Sequence, residues 1–436
     1  MTRLPLRLSA LVSVVIALAA ASCDAQTPAT PPAPLPAGSP PGAVRTAPLT
    51  PRAMRITVAD LPAPFATTSA TKGADVVAPP AGAVLNVPEG FAVQVFAEMN
   101  GPRAMAVTPE GDVLVAESQG HRLVRLRDTD GDGVAEAREI VATREANGLN
   151  RPFGLVFARG GLYVASTDAV ARFDWPGASG TVSGTGTRLT DLPGGGHWTR
   201  GLALAPDSAH LYIAIGSRSN VDAEDAPRAS IQIMALDGTG RRTFADGLRN
   251  PVGMDVHPAT GVLYTVVNER DGLGDDLVPD YLTSVQSGAF YGWPYAYLAP
   301  SKLDPRRMRG EASERPDLAA RTTTPEVLFQ AHSAALGIAF GQRTRFPARY
   351  QSGAFVAMRG SWNRSEGTGY KIAYVPFTAA GRAEGGYEDF LTGFLTDPSG
   401  PTTFARPVGL LVARDGSLLL SEDGNGRIYR ISHRAR

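Results

Sequence analysis

The chain has 436 residues, is rich in Gly (48) and Pro (35), and carries 42 basic and 42 acidic side chains. The charge balance leaves no general basic field to hold nucleic acid. A single cysteine, Cys23, excludes an intrachain disulfide and a cysteine-based metal site. The Gly/Pro content, with aromatics at only 7%, suits many short strands joined by turns better than long helices.

Residues 1–22 read as a secretory signal peptide: Arg3 and Arg7, an apolar run from Leu8 to Ala21, then small residues before Cys23. The run is shorter than the ~20 residues a stable membrane span needs. Leu18-Ala-Ala-Ala-Ser22-Cys23 is a loose lipobox, with Leu18 two positions further from the cysteine than usual. Cys23 is therefore the expected lipidation site of an exported protein, periplasmic or anchored to the membrane as a lipoprotein. Plain secretion with an incidental cysteine is the alternative. Residues 23–83 begin Pro/Ala/Thr-rich and are expected to form a disordered tether.

From 84 to 436 a repeat runs through the chain. A small residue and an apolar pair lead into a Gly/Asp/Pro turn and then an apolar strand, as in Gly154-Leu-Val-Phe157 followed by Leu162-Tyr-Val-Ala165. The anchors are Ala104, Gly154, Gly201, Gly253, Gly337 and Gly409. A period near ~50 residues with paired strands predicts an all-β fold, a six-bladed β-propeller, with insertions at roughly 270–330 and 360–405. The anchor glycines are expected where inner strands crowd around a channel. A stacked or sandwich β fold is the alternative.

Between two predicted strands, Asp128-Thr-Asp130-Gly-Asp132-Gly133-Val134-Ala-Glu136-Ala-Arg-Glu139 fits a twelve-position calcium loop. Oxygen ligands would come from Asp128, Asp130, Asp132, Glu136 and Glu139, and Gly133 takes the sixth position. The competing reading is an acidic hairpin without an ion.

Loops that converge on one end of a propeller channel are the expected seat of function. Just before the anchors stand Arg151, Arg200, Arg249 and Arg406. Arginines from several blades facing one axis would repel unless an anion sat among them, and guanidinium suits carboxylates. Each could instead cap its own loop. His197 follows three glycines and is a candidate general base, against the plainer reading of a structural histidine. His332 opens the fifth anchor segment and is read as structural or substrate-contacting. No Gly-x-Gly-x-x-Gly strand-to-helix signature favours a nucleotide.

Five ordered motifs carry a resemblance. Leu192-Pro-Gly-Gly-Gly-His197-Trp-Thr-Arg-Gly-Leu202, Gly247-Leu-Arg249-Asn250-Pro-Val-Gly253, Tyr291-Gly-Trp293-Pro294, Gly360-Ser-Trp362-Asn363-Arg364 and Arg406-Pro-Val-Gly409 are similar to the sorbosone/glucose dehydrogenase family. Those proteins are six-bladed propellers, and several use pyrroloquinoline quinone (PQQ). The resemblance implies a PQQ-dependent enzyme oxidising a sugar, aldose or related alcohol, with His197 taking the hydroxyl proton. It places Arg249, Asn250 and Arg406 at the cofactor, and Arg359 by a looser match. Arg151 is added from its position alone. The segment Asn268 to Asp276 resembles a loop whose backbone carbonyls hold calcium, here those of Gly272 and Leu273, although some relatives have proline where Leu273 stands. Tyr291 and Trp293 would wall the substrate site or pack under a loop. A non-catalytic propeller binding carbohydrate or protein is the alternative function. A lactonase-type hydrolase with one channel metal is disfavoured by the basic axis.

Overall fold

The structure, a computed structural model, describes residues 39–434. The signal-peptide and Cys23 expectations lie outside the described residues. Among the described residues strands dominate, gathered into six sheets of four or more strands, antiparallel except where Ala43–Pro48 runs parallel to Val84–Val87, with two minor sheets. The first strands of these sheets are Pro102–Val107, Gly154–Ala158, Arg200–Leu204, Asn250–Val256, Ala335–Phe340 and Pro407–Val412. Each touches the first strand of the next sheet, and the last touches the first, so the six form a closed ring. Closure rules out an open stack or a sandwich. The sixth sheet is completed by Phe91–Glu98, which pairs with Arg427–His433 and so ties the two ends of the ring together.

The anchors fall where the backbones are closest. A Cβ on Gly154 would lie 2.6 Å from the Arg200 carbonyl, on Gly201 2.2 Å from that of Val252, and on Gly253 2.6 Å from that of Leu336. On Gly337 it would lie 2.4 Å from the Val408 carbonyl, and on Gly409 2.2 Å from that of Arg103. Each anchor glycine thus lets its strand abut the next sheet.

The second strand of each sheet is covered on both faces. Val113–Glu117, Gly161–Ser166 and Gly353–Met358 are buried at every residue. That is why they read as unbroken apolar runs rather than as alternating strands. One apolar cluster fills the gap between each successive pair of sheets. A seventh, Phe153, Val252, Leu336 and Val408, closes the axis, with Ala104 and Trp198 against it.

The two long repeat spacings are insertions. One lies between Tyr281–Ser284 and Val327–Leu328 of the fourth sheet, and another precedes the sixth sheet at 392–406. The tether expectation fails over 39–83. Ala43–Pro48 pairs with Phe91–Glu98 and with Val84–Val87, and Ala53–Met54 adds an edge strand to the fifth sheet. The physical reason is that the segment is not uniformly polar. Val44, Met54, Ile56, Val58, Leu61 and Val77 insert into the intersheet clusters, and the sheets offer open edges to pair with. Among the described residues no helix is long and apolar enough to cross a membrane.

Candidate active site

One end of the ring carries a cavity of about 450 Å³, within the range of small-molecule sites. Trp198, Val252 and Leu336 from the axial plug contribute to its lining. His197, Arg249, Asn250, His332, Arg359 and Arg406 all line it, although they come from segments up to 209 residues apart. The ring brings them together by placing the start of each first strand and the end of each second strand at the same end.

His197 is held by its backbone and its ring. Its N–H donates to the Ser217 carbonyl at 3.0 Å, and Nδ1–H donates to the same oxygen at 2.8 Å. This fixes the tautomer and leaves Nε2 as the basic nitrogen. Burial, then the nearby Arg249 charge, push its pKa down to about 4, so the imidazole is neutral at neutral pH. Gly216 makes the packing feasible, because a Cβ there would lie 2.3 Å from Asn250 Oδ1 and 2.7 Å from His197 Cβ.

The glycine loop carrying His197 is clamped by two arginines. Arg200 donates to the carbonyls of Pro193 (2.6 Å), His197 (2.7 Å) and Thr199 (2.7 Å), and Arg228 donates to those of Pro193, Gly194, Gly195 and Gly216. Arg200 is therefore a loop clamp, fully buried, and does not face the axis.

The cavity is bipolar. On one wall stand Arg103, Arg359 and Arg406. Asp423 pairs with Arg103 and Arg359, each at 2.9 Å. Burial opposes its ionisation, but Arg103, Arg359 and Arg406 outweigh it and hold its carboxyl below the usual range. Burial pushes Arg103 and Arg406 down to about 10, and in Arg406 the Arg359 charge adds to the effect. Three guanidiniums around one carboxylate leave surplus positive charge.

On the other wall are Glu269, Asp271 and Asp280. Asp271 accepts from Arg249 Nη2 (3.1 Å) and Asn363 Nδ2 (2.5 Å), and Asn363 Nδ2 also meets His332 Nδ1 at 3.0 Å. His332 Nε2 donates to the Gly274 carbonyl at 3.0 Å. Burial disfavours the His332 cation, but Asp271 and the Gly274 carbonyl raise its pKa overall. Burial drives Glu269 up to about 7 and Asp280 up to about 6. Asp280 accepts the N–H groups of Glu269 and Ala334. The second of these bonds pins a backbone that is left-handed at both His332 (φ +67°) and Ala334 (φ +55°).

Other expected residues stand elsewhere. Arg151 lies 3.9 Å from the Trp198 ring centroid, beside the cavity lining. Tyr291 and Trp293 are core residues and do not line the cavity. The Tyr291 hydroxyl donates to the Ser284 carbonyl (2.7 Å) and Trp293 Nε1–H to that of Asn220 (2.9 Å), so their polar ends are satisfied inside the fold. Gly272 and Leu273 follow the wall residue Asp271. The Leu273 carbonyl accepts the N–H of Phe65 at 2.8 Å, which uses one of its two lone pairs.

In the acidic loop, Asp128, Asp130, Asp132 and Glu136 bring one oxygen each within 4.8 Å of one another. The Asp128 carboxylate accepts the N–H groups of Gly131 (2.7 Å) and Gly133 (2.9 Å), which closes the loop. Glu139 is not part of this group. It lies on the strand Ala137–Thr143, where strand pairing sets it opposite Arg125 and the two form an ion pair.

Arg103, Asp271, Asn363 and Asp423 escaped the sequence reading. For Arg103 a signal existed. The residue directly before the anchor is the apolar plug Phe153, Val252, Leu336 or Val408 in four copies, and arginine in the first and third. A cation in an apolar slot marks either a clamp or a site, and the chain has one of each.

The fold and cavity define an all-β ring with a polar, bipolar site at one end of its axis. The chain belongs to the TrAA12-like family, whose profile matches residues 85–434. It is 28% identical over 365 residues to an uncharacterized protein of Borreliella burgdorferi, covering 80% of this chain and 90% of that one. It is 25% identical over 411 residues to a pyrroloquinoline quinone-dependent pyranose dehydrogenase of Coprinopsis cinerea, covering 80% of this chain and 54% of that protein. The calcium structure of the family AA12 enzyme of Trichoderma reesei superposes with a TM-score of 0.69 at 21% identity, over 84% of this chain and all of that one.

Proposed function

We propose that the six-sheet ring is a six-bladed β-propeller and that its cavity binds PQQ and calcium to oxidise a sugar, aldose or related alcohol. The observation that carries this reading is the bipolar cavity with a neutral, tautomer-fixed histidine in its lining. Arg103 Nε, Asn250 Oδ1 and Glu269 Oε1 are buried without a protein partner, as expected of a wall built for a polar ligand. The surplus charge of Arg103, Arg359 and Arg406 fits a ligand with several carboxylates. The Asp271 to Leu273 turn offers a carboxylate and two carbonyls for a hard cation. When bound, PQQ supplies the two-electron acceptor and calcium the Lewis acid.

The chain's own residues do the rest. Arg249 and Asn250 orient the ligand beside His197. His197 Nε2 accepts the proton of the substrate hydroxyl, and the Ser217 carbonyl stabilises the resulting imidazolium through Nδ1–H. The 128–136 loop is a second, structural calcium site, with Asp128, Asp130, Asp132 and Glu136 as ligands. An exported location and an anchor at Cys23 complete the reading.

The test is reconstitution with PQQ and calcium, followed by dye reduction against a panel of aldoses and polyols. Turnover that needs both additions and is lost in His197→Ala establishes the activity. Absence of PQQ binding to folded, calcium-loaded protein would overturn it in favour of a recognition propeller.

A further inference from the structure

The family match starts at residue 85, yet residues 53–77 run across the same end of the ring as the cavity. The segment leaves the edge of the fifth sheet at Ala53–Met54 and packs Ile56, Val58 and Leu61 against the cluster containing Leu273, Leu277 and Val278. It then meets the 273–275 turn three times. Phe65 N–H donates to the Leu273 carbonyl (2.8 Å), Ser69 Oγ accepts the Gly274 N–H (3.0 Å), and Thr67 Oγ1 accepts the Asp275 N–H (2.8 Å). A Cβ on Gly274 would lie 2.9 Å from the Thr67 carbonyl, so the two backbones are in direct contact.

Further on, the segment crosses a second loop. Lys72 N–H donates to the carbonyl of Trp362, which lines the cavity, at 2.7 Å. Lys72 Nζ donates to the carbonyls of Ser365 (3.1 Å) and Ser399 (2.6 Å). The segment ends by pairing Asp75–Val76 with Thr402–Thr403. The two loops it crosses are themselves joined, by the Arg364–Asp276 ion pair (2.8 Å) and by Ser365 N–H on the Asp275 carboxylate. They carry Asp271 and Asn363, the two side chains whose 2.5 Å hydrogen bond ties the acidic wall to the second loop.

We infer that residues 53–77 are a positioning brace: they hold the 271–276 and 360–366 loops in register and thereby set the ligand affinity of the acidic wall. Both loops are irregular, and irregular loops open locally at small free-energy cost unless something outside them restricts that motion. A wall assembled from two such loops keeps its geometry only when they are restrained together, and a preformed wall spares the ligand the cost of ordering them. This inference rests on the proposed function only for the identity of the ligand.

The experiment compares the full chain with Thr67→Val/Ser69→Ala/Lys72→Ala, which removes the side-chain bonds and leaves the apolar packing in place. Two quantities are measured: amide hydrogen exchange at 271–276 and 360–366, and PQQ affinity with calcium present. The expectation is about tenfold faster exchange in both loops, unchanged exchange in Val113–Glu117, and about tenfold weaker PQQ binding. Unchanged loop exchange, or faster exchange with unaltered PQQ affinity, would overturn the brace. If the unsubstituted protein binds no PQQ, the proposed function fails. The exchange comparison then decides by itself whether the segment restrains the loops, and equal exchange in the two proteins defeats the brace as well.

Discussion

At the residue scale, His197 and Arg103 show how the ring changes ordinary side chains. A histidine in the unfolded chain titrates near ~6.5, whereas the folded chain holds His197 at about 4 through burial and the Arg249 charge. Between those values the unfolded chain binds a proton that the folded chain refuses. His197 therefore costs stability as pH falls from about 6.5 towards about 4, and costs nothing further above that window. His197→Asn should flatten the decline of Tm across the window relative to the unsubstituted protein. Parallel Tm–pH curves would show that the imidazole is not the group being charged. Arg103→Leu should instead spare the fold while weakening PQQ binding by about tenfold or more, the weight of one charge-assisted contact. Leucine restores the apolar plug found in four other copies, and Arg359 still neutralises Asp423. Isothermal titration checks the affinity, and a large fall in Tm would show that Arg103 is a structural ion-pair partner first.

At the scale of elements, the anchors and the acidic loop are the informative pieces. Gly409→Ala would put a methyl group 2.2 Å from the Arg103 carbonyl, and backbone cannot move aside as a flexible side chain can. A loss of about 1–3 kcal/mol is expected from overpacking, read by urea unfolding. The same substitution at Gly194, where no atom lies within 4 Å of the added Cβ, should cost far less. The 128–136 loop makes a different prediction. Its carboxylates repel without a cation, so chelator should lower Tm and expose the loop to protease, and added calcium should reverse both. Asp130→Asn should abolish the calcium response, while Glu139→Gln should keep it, because Glu139 faces Arg125. The twelve-position pattern makes Glu139 the last ligand. In the structure position twelve falls on a strand, where register sets Glu139 opposite Arg125 and outside the group of four carboxylates.

At the scale of the whole molecule, closure is the central event. The last sheet takes its fourth strand from Phe91–Glu98, some 330 residues earlier than its partner Arg427–His433. A chain beginning at residue 99 should leave that sheet without Ala43–Pro48, Val84–Val87 and Phe91–Glu98, uncover Leu419 and Ile428 on the face that Phe96 otherwise covers, and aggregate. Gel filtration and soluble yield read the outcome, and a monodisperse truncated protein would show that closure is dispensable.

The all-β class, the repeat and its anchors, and the segments that carry His197, Arg249-Asn250 and Arg406 to the cavity were legible along the chain. These are local signals: a strand buried on both faces must be apolar, and a close backbone approach must be glycine. Tertiary structure decided which arginine faces the cavity and which clamps a loop. Arg200 and Arg103 occupy the same repeat slot, yet only Arg103 lines the cavity. It withdrew Tyr291 and Trp293 into the core and turned a presumed tether over 39–83 into strands and a brace. It also paired Asp271 with Asn363 and Asp423 with Arg103 across 92 and 320 residues of sequence. Such pairings depend on how the ring closes, and ring closure brings together segments whose separation carries no local pattern to read.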